Sequence, residues 1–456
     1  MSTENVKGVL LLSHVGFSFM EDLATAVTAR GLRVCVLSSL PEPQYQQTRP
    51  GELADLADEV RVTVEPVLTP RDVEDYLDQL EAAGTSVSCC LTVWEGYRHL
   101  MALANARLGV PDLDQKQVLE LRDKLVLRNR LADAGLSRGR ASALTPGTLA
   151  DRQRAGGRYF VKPVSGIASF GTFPLTPDTT WADLERIAAE ARRDPVYAGA
   201  FTANADPNTG HGPGLEVEFL VEDYVPGPEF SFEVIAVDGE PQVVAVHEKC
   251  GLTQAAHTVL EAACVSPPVS LSQQELAAGI GWVAAVLDTL GLGWGCFHVE
   301  ARHAPSGWDL IEVNLRVGGS LISPSVAALT GGPGLLDLWL DSMLTAHRPA
   351  GFRRTLKGLS FAADGSTRSG NATFFRVFFA EPGTIREVRL NEDLALRPIA
   401  AHIILKPGDV VASSSREVFL GQVLWRMDRA ERDAILPELL PASERAIETV
   451  YETERR

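Results

Sequence analysis

Apolar residues in the first part of the chain fall in short runs separated by helical patterns. Residues 8–12, 33–38 and 87–91 read as buried strands. Residues 20–30, 70–83 and 95–107 carry the spacing of amphipathic helices, and each stops near a glycine suited to a helix end: Gly31, Gly84 or Gly109. This alternation predicts a parallel sheet with helices on both faces. Two helices are expected over 113–121 and 122–134. A stretch rich in Gly, Ser, Arg and Thr over 136–158 reads as a connecting loop. A strand over 158–161 then leads into the small-residue loop 165–171, and 181–193 is helical. Residues 202–214 read as a mobile loop, followed by strands over 216–224, 230–237 and 242–247. Ser272-Gln-Gln-Glu275 is a capping-box signature opening a helix that runs to 290. Helices over 323–329 and 335–346 precede an α+β segment, 350–456, with a turn at Gly408-Asp409 and a polar terminal helix. There is no internal repeat.

Between these helices lies the most informative stretch. Residues 294–300 and 308–316 both alternate as strands, and Pro305-Ser306-Gly307 breaks both patterns, so a hairpin is expected. Strand alternation turns Glu312, Asn314 and Arg316 to one face, with Glu300 beside them on the partner strand. Two carboxylates and an amide oxygen at one spot repel unless a cation lies between them. Hard oxygen donors without His or Cys favour Mg²⁺, with Mn²⁺ as an acceptable substitute, bound jointly with substrate phosphates. The alternative is an amphipathic hairpin with a solvated acidic face. Ile311, Val313 and Leu315 supply its apolar side, and an arginine beside paired carboxylates suits a phosphate-and-metal site.

Charge narrows the partners. With 42 Lys and Arg against 59 Asp and Glu, the net charge is −17, spread along the chain. Nucleic acid and anionic membrane surfaces both need a basic footprint, so neither is expected. The polar N-terminus and the short apolar run 9–12 give no signal segment or membrane span. Six cysteines without CxxC spacing read as buried free thiols in a reducing, cytoplasmic setting.

Other candidate positions are individually weak. Lys162 ends a strand and heads the loop 165–171, while Lys124 opens a helix; either could be a solvated surface lysine. The loop lacks the lysine of a Walker A motif, so it is no P-loop, though backbone N–H groups in it could cradle phosphates and close as a lid. Glu222-Asp-Tyr-Val225-Pro-Gly227-Pro-Glu229 bends at Pro226-Gly227, as a plain hairpin turn or as an edge against which adenine packs. His247, Glu248, Lys249, His257 and Ser320 are pocket candidates that could equally be structural.

In order, Asp123-Lys124, Val161-Lys162-Pro163, the loop 165–171, Glu222 to Glu229, Glu300, and Glu312-Val-Asn314-Leu-Arg316 with Gly318-Gly319 resemble the ATP-grasp superfamily of carboxylate–amine ligases. Within it the chain looks most like the L-amino acid ligases and antibiotic-pathway amide ligases, which carry a similar C-terminal extension. The resemblance implies an N-terminal parallel α/β domain over 1–112, linker helices and a small lid subdomain over 113–225, a catalytic antiparallel-sheet subdomain over 226–350, and an extension over 351–456. It implies ATP and Mg²⁺ as cofactors, a small-molecule carboxylate and amine as substrates, and allows a homodimer. Lys124 and Lys162 would contact the ATP phosphates; Ser165, Gly166, Ser169 and Gly171 would close over the nucleotide. Glu222 and Val225 would hold the adenine edge and Glu229 the ribose. Glu300, Glu312 and Asn314 would hold the metal, and Arg316 with Lys162 would act on the transferring phosphoryl group. Gly319, Ser320, His247 and His257 would join Arg316 around the substrates. His298 stands where several relatives place an arginine, and an imidazole there is expected to supply one charge-assisted contact when protonated. A bicarbonate-phosphorylating enzyme and a nucleotide-binding protein without turnover are the rival readings.

Overall fold

A computed structural model describes residues 6–14, 19–167, 169–193, 217–254, 259–391, 393–412 and 418–452. The apolar runs of the N-terminal part form a parallel sheet in the order Glu59–Val62, Arg33–Ser38, Val6–Ser13, Thr85–Leu91. Val9 to Leu12 are at most 1% exposed, as strands covered on both faces must be. Its helices include Met20–Thr28, Pro70–Ala82 and Arg98–Leu108. The helix Arg49–Leu56 and the strand Glu59–Val62 were not expected, because a Pro-Gly pair opens the one and alternating charge disguises the other.

Two helices follow, Gln115–Leu121 and Lys124–Asp133, each capped by an aspartate, Asp114 and Asp123. The expected loop 136–158 is corrected: it contains a strand, Ala141–Ala143, and a helix, Pro146–Ala155. Thr145 caps that helix and Pro146 occupies its first turn, a start signal that the surrounding Gly and Arg residues obscure. A four-stranded sheet, ordered Ala141–Ala143, Phe219–Asp223, Tyr159–Pro163, Phe173–Pro174, carries the helix Trp181–Arg193 on a small core of its own. The expected loop 202–214 lies outside the described residues.

The largest sheet is antiparallel throughout and eight strands wide. It runs Gly307–Asn314, Gly295–Ala304, Glu229–Val237, Glu240–Gln254, Val259–Ser266, Asn371–Phe379, Phe419–Asp428, Ala400–Ile403. Three of these strands belong to the last hundred residues, so the C-terminal segment extends the sheet that holds the acidic hairpin. The helix Gln273–Leu290 opens on the expected capping box, Ser272 with Glu275, and packs on this sheet. The last helix, Arg432–Ala442, is not terminal as expected: the strand Ile447–Tyr451 follows and pairs with Gly383–Leu390. All six cysteines are unpaired, and five are buried. Among the described residues no helix is long and apolar enough to cross a membrane.

Candidate active site

Register assembles the acidic face. Glu300 pairs across the hairpin with Glu312, and His298 with Asn314. On the other side Glu300 pairs with Ser231, His298 with Glu233, and Arg302 with Glu229. Side chains two apart share a face, so Glu229, Ser231 and Glu233 line up beside Arg302, Glu300 and His298. The N-terminal domain fixes the end of the hairpin: buried Arg98 donates from Nε to the Leu315 carbonyl at 2.9 Å, and its guanidinium is paired with buried Asp112.

The two hairpin carboxylates stand in different surroundings. Glu300 Oε1 accepts from His298 Nε2 at 2.9 Å and Oε2 lies 3.3 Å from Lys249 Nζ. Burial alone would raise its pKa, but Lys249 and His298 outweigh burial and hold the carboxyl well below the usual range. Glu312 has its nearest cation, Lys124 Nζ, at 3.6 Å. Burial, with repulsion from Glu300 and Glu95, raises its pKa against the pull of Lys124 and Lys162. Two carboxylates face the Asn314 amide, so its nitrogen must turn to them. So oriented it donates to Glu312 Oε1 at 2.9 Å and Glu95 Oε2 at 3.0 Å. Glu95 also lies 3.5 Å from Arg316 Nη2. This is an acceptor-rich, mutually repelling donor set, and a hard divalent cation fits it.

A cleft opens beside these residues. It brings together Lys124, Lys162, Gly166, Ser169, Glu222, Val225, Glu229, Glu300 and Glu312 from the expected set. Phe160, Ile167, Phe170, Tyr224 and Ile311 give it apolar walls. Lys162 Nζ is 2.6 Å from Glu222 Oε1 and donates to the Ile311 carbonyl at 3.2 Å. Glu222 also accepts from Arg128 Nε at 2.8 Å, so each oxygen of its buried carboxylate has a cationic partner. Lys124 Nζ donates to the Gly166 carbonyl at 2.9 Å, linking the linker helix to the loop. Gly171 adopts φ +67°, and a Cβ there would press on Ile187 and Pro163. At Gly227, φ is +105° and a Cβ would meet the His303 carbonyl oxygen at 2.1 Å, so only glycine fits the bend.

Several residues lie apart from the cleft lining. Ser165 sits at the loop's start. Arg316, Gly319 and Ser320 lead away from the hairpin towards the C-terminal strands, where Ser320 Oγ donates to Gln422 Oε1 at 2.8 Å. His247 is corrected as a substrate contact: it is 0% exposed, bonds Ser325 Oγ through Nε2 at 2.9 Å and stands against Phe375. His257 lies outside the described residues. His298 is corrected in number of contacts, since both ring nitrogens are engaged, Nδ1 with Glu233 at 2.9 Å and Nε2 with Glu300. Carboxylates only accept, so the ring is an imidazolium. Burial works against this charge, but Glu233 and Glu300 raise the pKa to about 10.

Three residues were missed or undervalued. Glu95 comes from the N-terminal domain, and no local pattern marks it. Arg302 was legible as the next same-face residue after Glu300; it donates to Glu229 Oε2 and to the Val225 carbonyl, both at 2.8 Å. Lys249 stands among Glu229, Glu261 and Glu300, whose oxygens lie within 4.8 Å of one another. Its ammonium is 2.8 Å from Glu229 and pairs closely with Glu261, so a lysine cation already stands inside this second acidic cluster.

Comparison with known proteins agrees with this geometry. Residues 158–324 match the ATP-grasp domain model. The chain is 28% identical to carnosine synthase 1 of Gallus gallus over 280 residues, 60% of this chain and 28% of that one. It is 32% identical over 106 residues to an uncharacterized protein of Sinorhizobium fredii, 23% of this chain and 20% of that one. The chain thus spans under a third of the length of either curated relative. Among solved structures, an L-amino acid ligase from Bacillus licheniformis superimposes with a TM-score of 0.71 at 17% identity, covering 99% of this chain and 100% of that one. A biotin carboxylase from Campylobacter jejuni gives 0.61 at 13% identity, covering 97% of this chain and 92% of that one. The chain thus carries a match to the ATP-grasp domain over residues 158–324, a stretch that holds the acidic hairpin and all of the cleft lining named above except Lys124.

Proposed function

We propose that this protein is an ATP-dependent carboxylate–amine ligase, joining an acid to an amine as an amide and releasing ADP and phosphate. One observation carries the reading: Glu300 and Glu312 stand opposite each other and line a cleft that also receives Lys124 and Lys162. A relative named carnosine synthase and a fold shared with an L-amino acid ligase support an amino acid as one substrate.

In this reading the apolar walls formed by Phe160, Ile167, Tyr224 and Ile311 take adenine, whose edge meets backbone near Glu222 and Val225. Glu229 accepts from the ribose. Lys124 and Lys162 meet the phosphates under the loop 165–171. Glu300, Glu312 and Asn314 would hold Mg²⁺ or Mn²⁺, which when bound neutralises charge on the terminal phosphates. A carboxylate is a poor electrophile at neutral pH. Phosphorylating it gives an acyl phosphate that an amine can attack, and Arg316 would stabilise the transferring group. The loop would exclude water from that intermediate. Gly319 and Ser320 would border the substrates. Glu95 beside Arg316 gives this region a carboxylate suited to an ammonium group.

The direct test is a phosphate-release screen over pairs of amino acids and amines, with mass detection of products. An amide product with stoichiometric ADP supports the reading. ADP release that requires bicarbonate instead of an acid–amine pair overturns it in favour of a carboxylase-like reaction.

A further inference from the structure

We infer that Glu233 is a positioning residue for the metal site, acting through His298 to fix the Glu300 carboxylate. The inference rests on the reading that Glu300 holds a divalent cation. Glu233 is 0% exposed and lies on the strand next to His298, at the same register position. Both of its oxygens approach His298 Nδ1, at 2.9 and 3.0 Å, and Oε1 also accepts from Ser231 Oγ at 2.8 Å. On the far side of the ring Nε2 reaches Glu300 Oε1 at 2.9 Å. The imidazole is therefore held at both ends, and its orientation decides where one oxygen of Glu300 stands.

The backbone packs against the ring as well. A Cβ on Gly318 would lie 2.5 Å from His298 Nδ1, so the backbone after Arg316 closes directly on it. Behind Glu233 the support continues: His247 Nδ1 is 3.4 Å from Glu233 Oε1, His247 Nε2 bonds Ser325 Oγ at 2.9 Å, and Ser325 Oγ bonds Thr373 Oγ1 at 2.7 Å. Thr373 lies on the strand Asn371–Phe379, so the C-terminal segment backs the metal carboxylate from within the same sheet. Burying a carboxylate this deeply is costly unless every lone pair is used, and here its partners lead to the site.

The test measures Mn²⁺ binding by electron paramagnetic resonance, on the full chain with a non-hydrolysable ATP analogue and no turnover. Glu233→Gln keeps the shape but weakens the hold on His298, and Mn²⁺ affinity should fall roughly 10- to 100-fold, as for other residues that orient metal ligands. Circular dichroism and a melting curve check folding. Ser231→Ala loosens Glu233 without removing it and should shift Mn²⁺ affinity in the same direction by less; it decides the matter should Glu233→Gln not fold. Wild-type Mn²⁺ affinity in the folded variants, alongside a loss in Glu312→Gln, overturns the role of Glu233 alone. Unchanged affinity in Glu312→Gln as well overturns the metal reading and this inference with it.

Discussion

Glu300 and Glu312 occupy the same register position on facing strands, yet their surroundings drive their carboxyls in opposite directions. Lys249 and His298 hold Glu300 ionised against burial, while Glu312, buried and near both Glu300 and Glu95, is pushed up. Of the two, Glu312 is the one that gains more from an added cation. Glu312→Gln should lower ADP release at least 100-fold, the scale of losing a main electrostatic element of phosphoryl transfer. Turnover within a few-fold of the parent protein would remove Glu312 from the site.

The pair Lys162–Glu222, with Arg128 behind it, is buried at the wall of the cleft. Glu222→Leu takes the carboxylate from Lys162 and leaves Arg128 with Asp309 at 3.1 Å, and should destabilise the fold by about 3–5 kcal/mol. Urea unfolding measures this. A loss below about 1 kcal/mol would mean that the two cations find other partners at little cost.

Stability should also report His298. Its proton is held to about pH 10 in the fold, against 6.5 for an ordinary imidazole. Burial opposes that charge, and Glu233 and Glu300 override it. Because the folded value is the higher one, the stabilisation is complete below about pH 6.5 and is lost as pH rises towards 10. Melting temperatures across that range should fall, and His298→Gln should flatten the fall. An equal slope in both proteins contradicts the assignment.

Gly318→Ala tests the contact between the hairpin's exit and the imidazole. Its Cβ would overlap His298 Nδ1, so the ring or the loop must shift. We expect kcat to drop roughly 10- to 100-fold with little change in nucleotide affinity, since a displacement of about 1 Å near the chemistry costs on that order. Parent-like kcat would show that the loop yields freely.

Much of this was legible in the chain. The hairpin, its register and the shared face of Glu300, Glu312 and Asn314 follow from alternation and one Pro-Ser-Gly break, because a strand's period is fixed by its backbone. The capping box at Ser272 and Glu275 marked its helix for the same local reason. What was not legible depends on long-range contact. Nothing near Glu95 indicates that it meets Arg316, and nothing near Glu233 or His247 indicates burial in one network. The helix Pro146–Ala155 was hidden because Thr145-Pro146 is a short signal inside a polar, glycine-containing stretch. The three C-terminal strands that extend the sheet holding the acidic hairpin gave only an α+β pattern, since pairing partners cannot be read from a strand's own residues.

The central claim, activation of a carboxylate by the γ-phosphate of ATP, is tested most directly by isotope transfer. A substrate acid labelled with ¹⁸O in its carboxylate is turned over with ATP and amine, and the released phosphate and nucleotide are analysed by mass. The account predicts ADP as the nucleotide and one ¹⁸O in the phosphate, because the acyl oxygen leaves with it when the amine attacks. AMP with pyrophosphate, or unlabelled phosphate under full turnover, would contradict it.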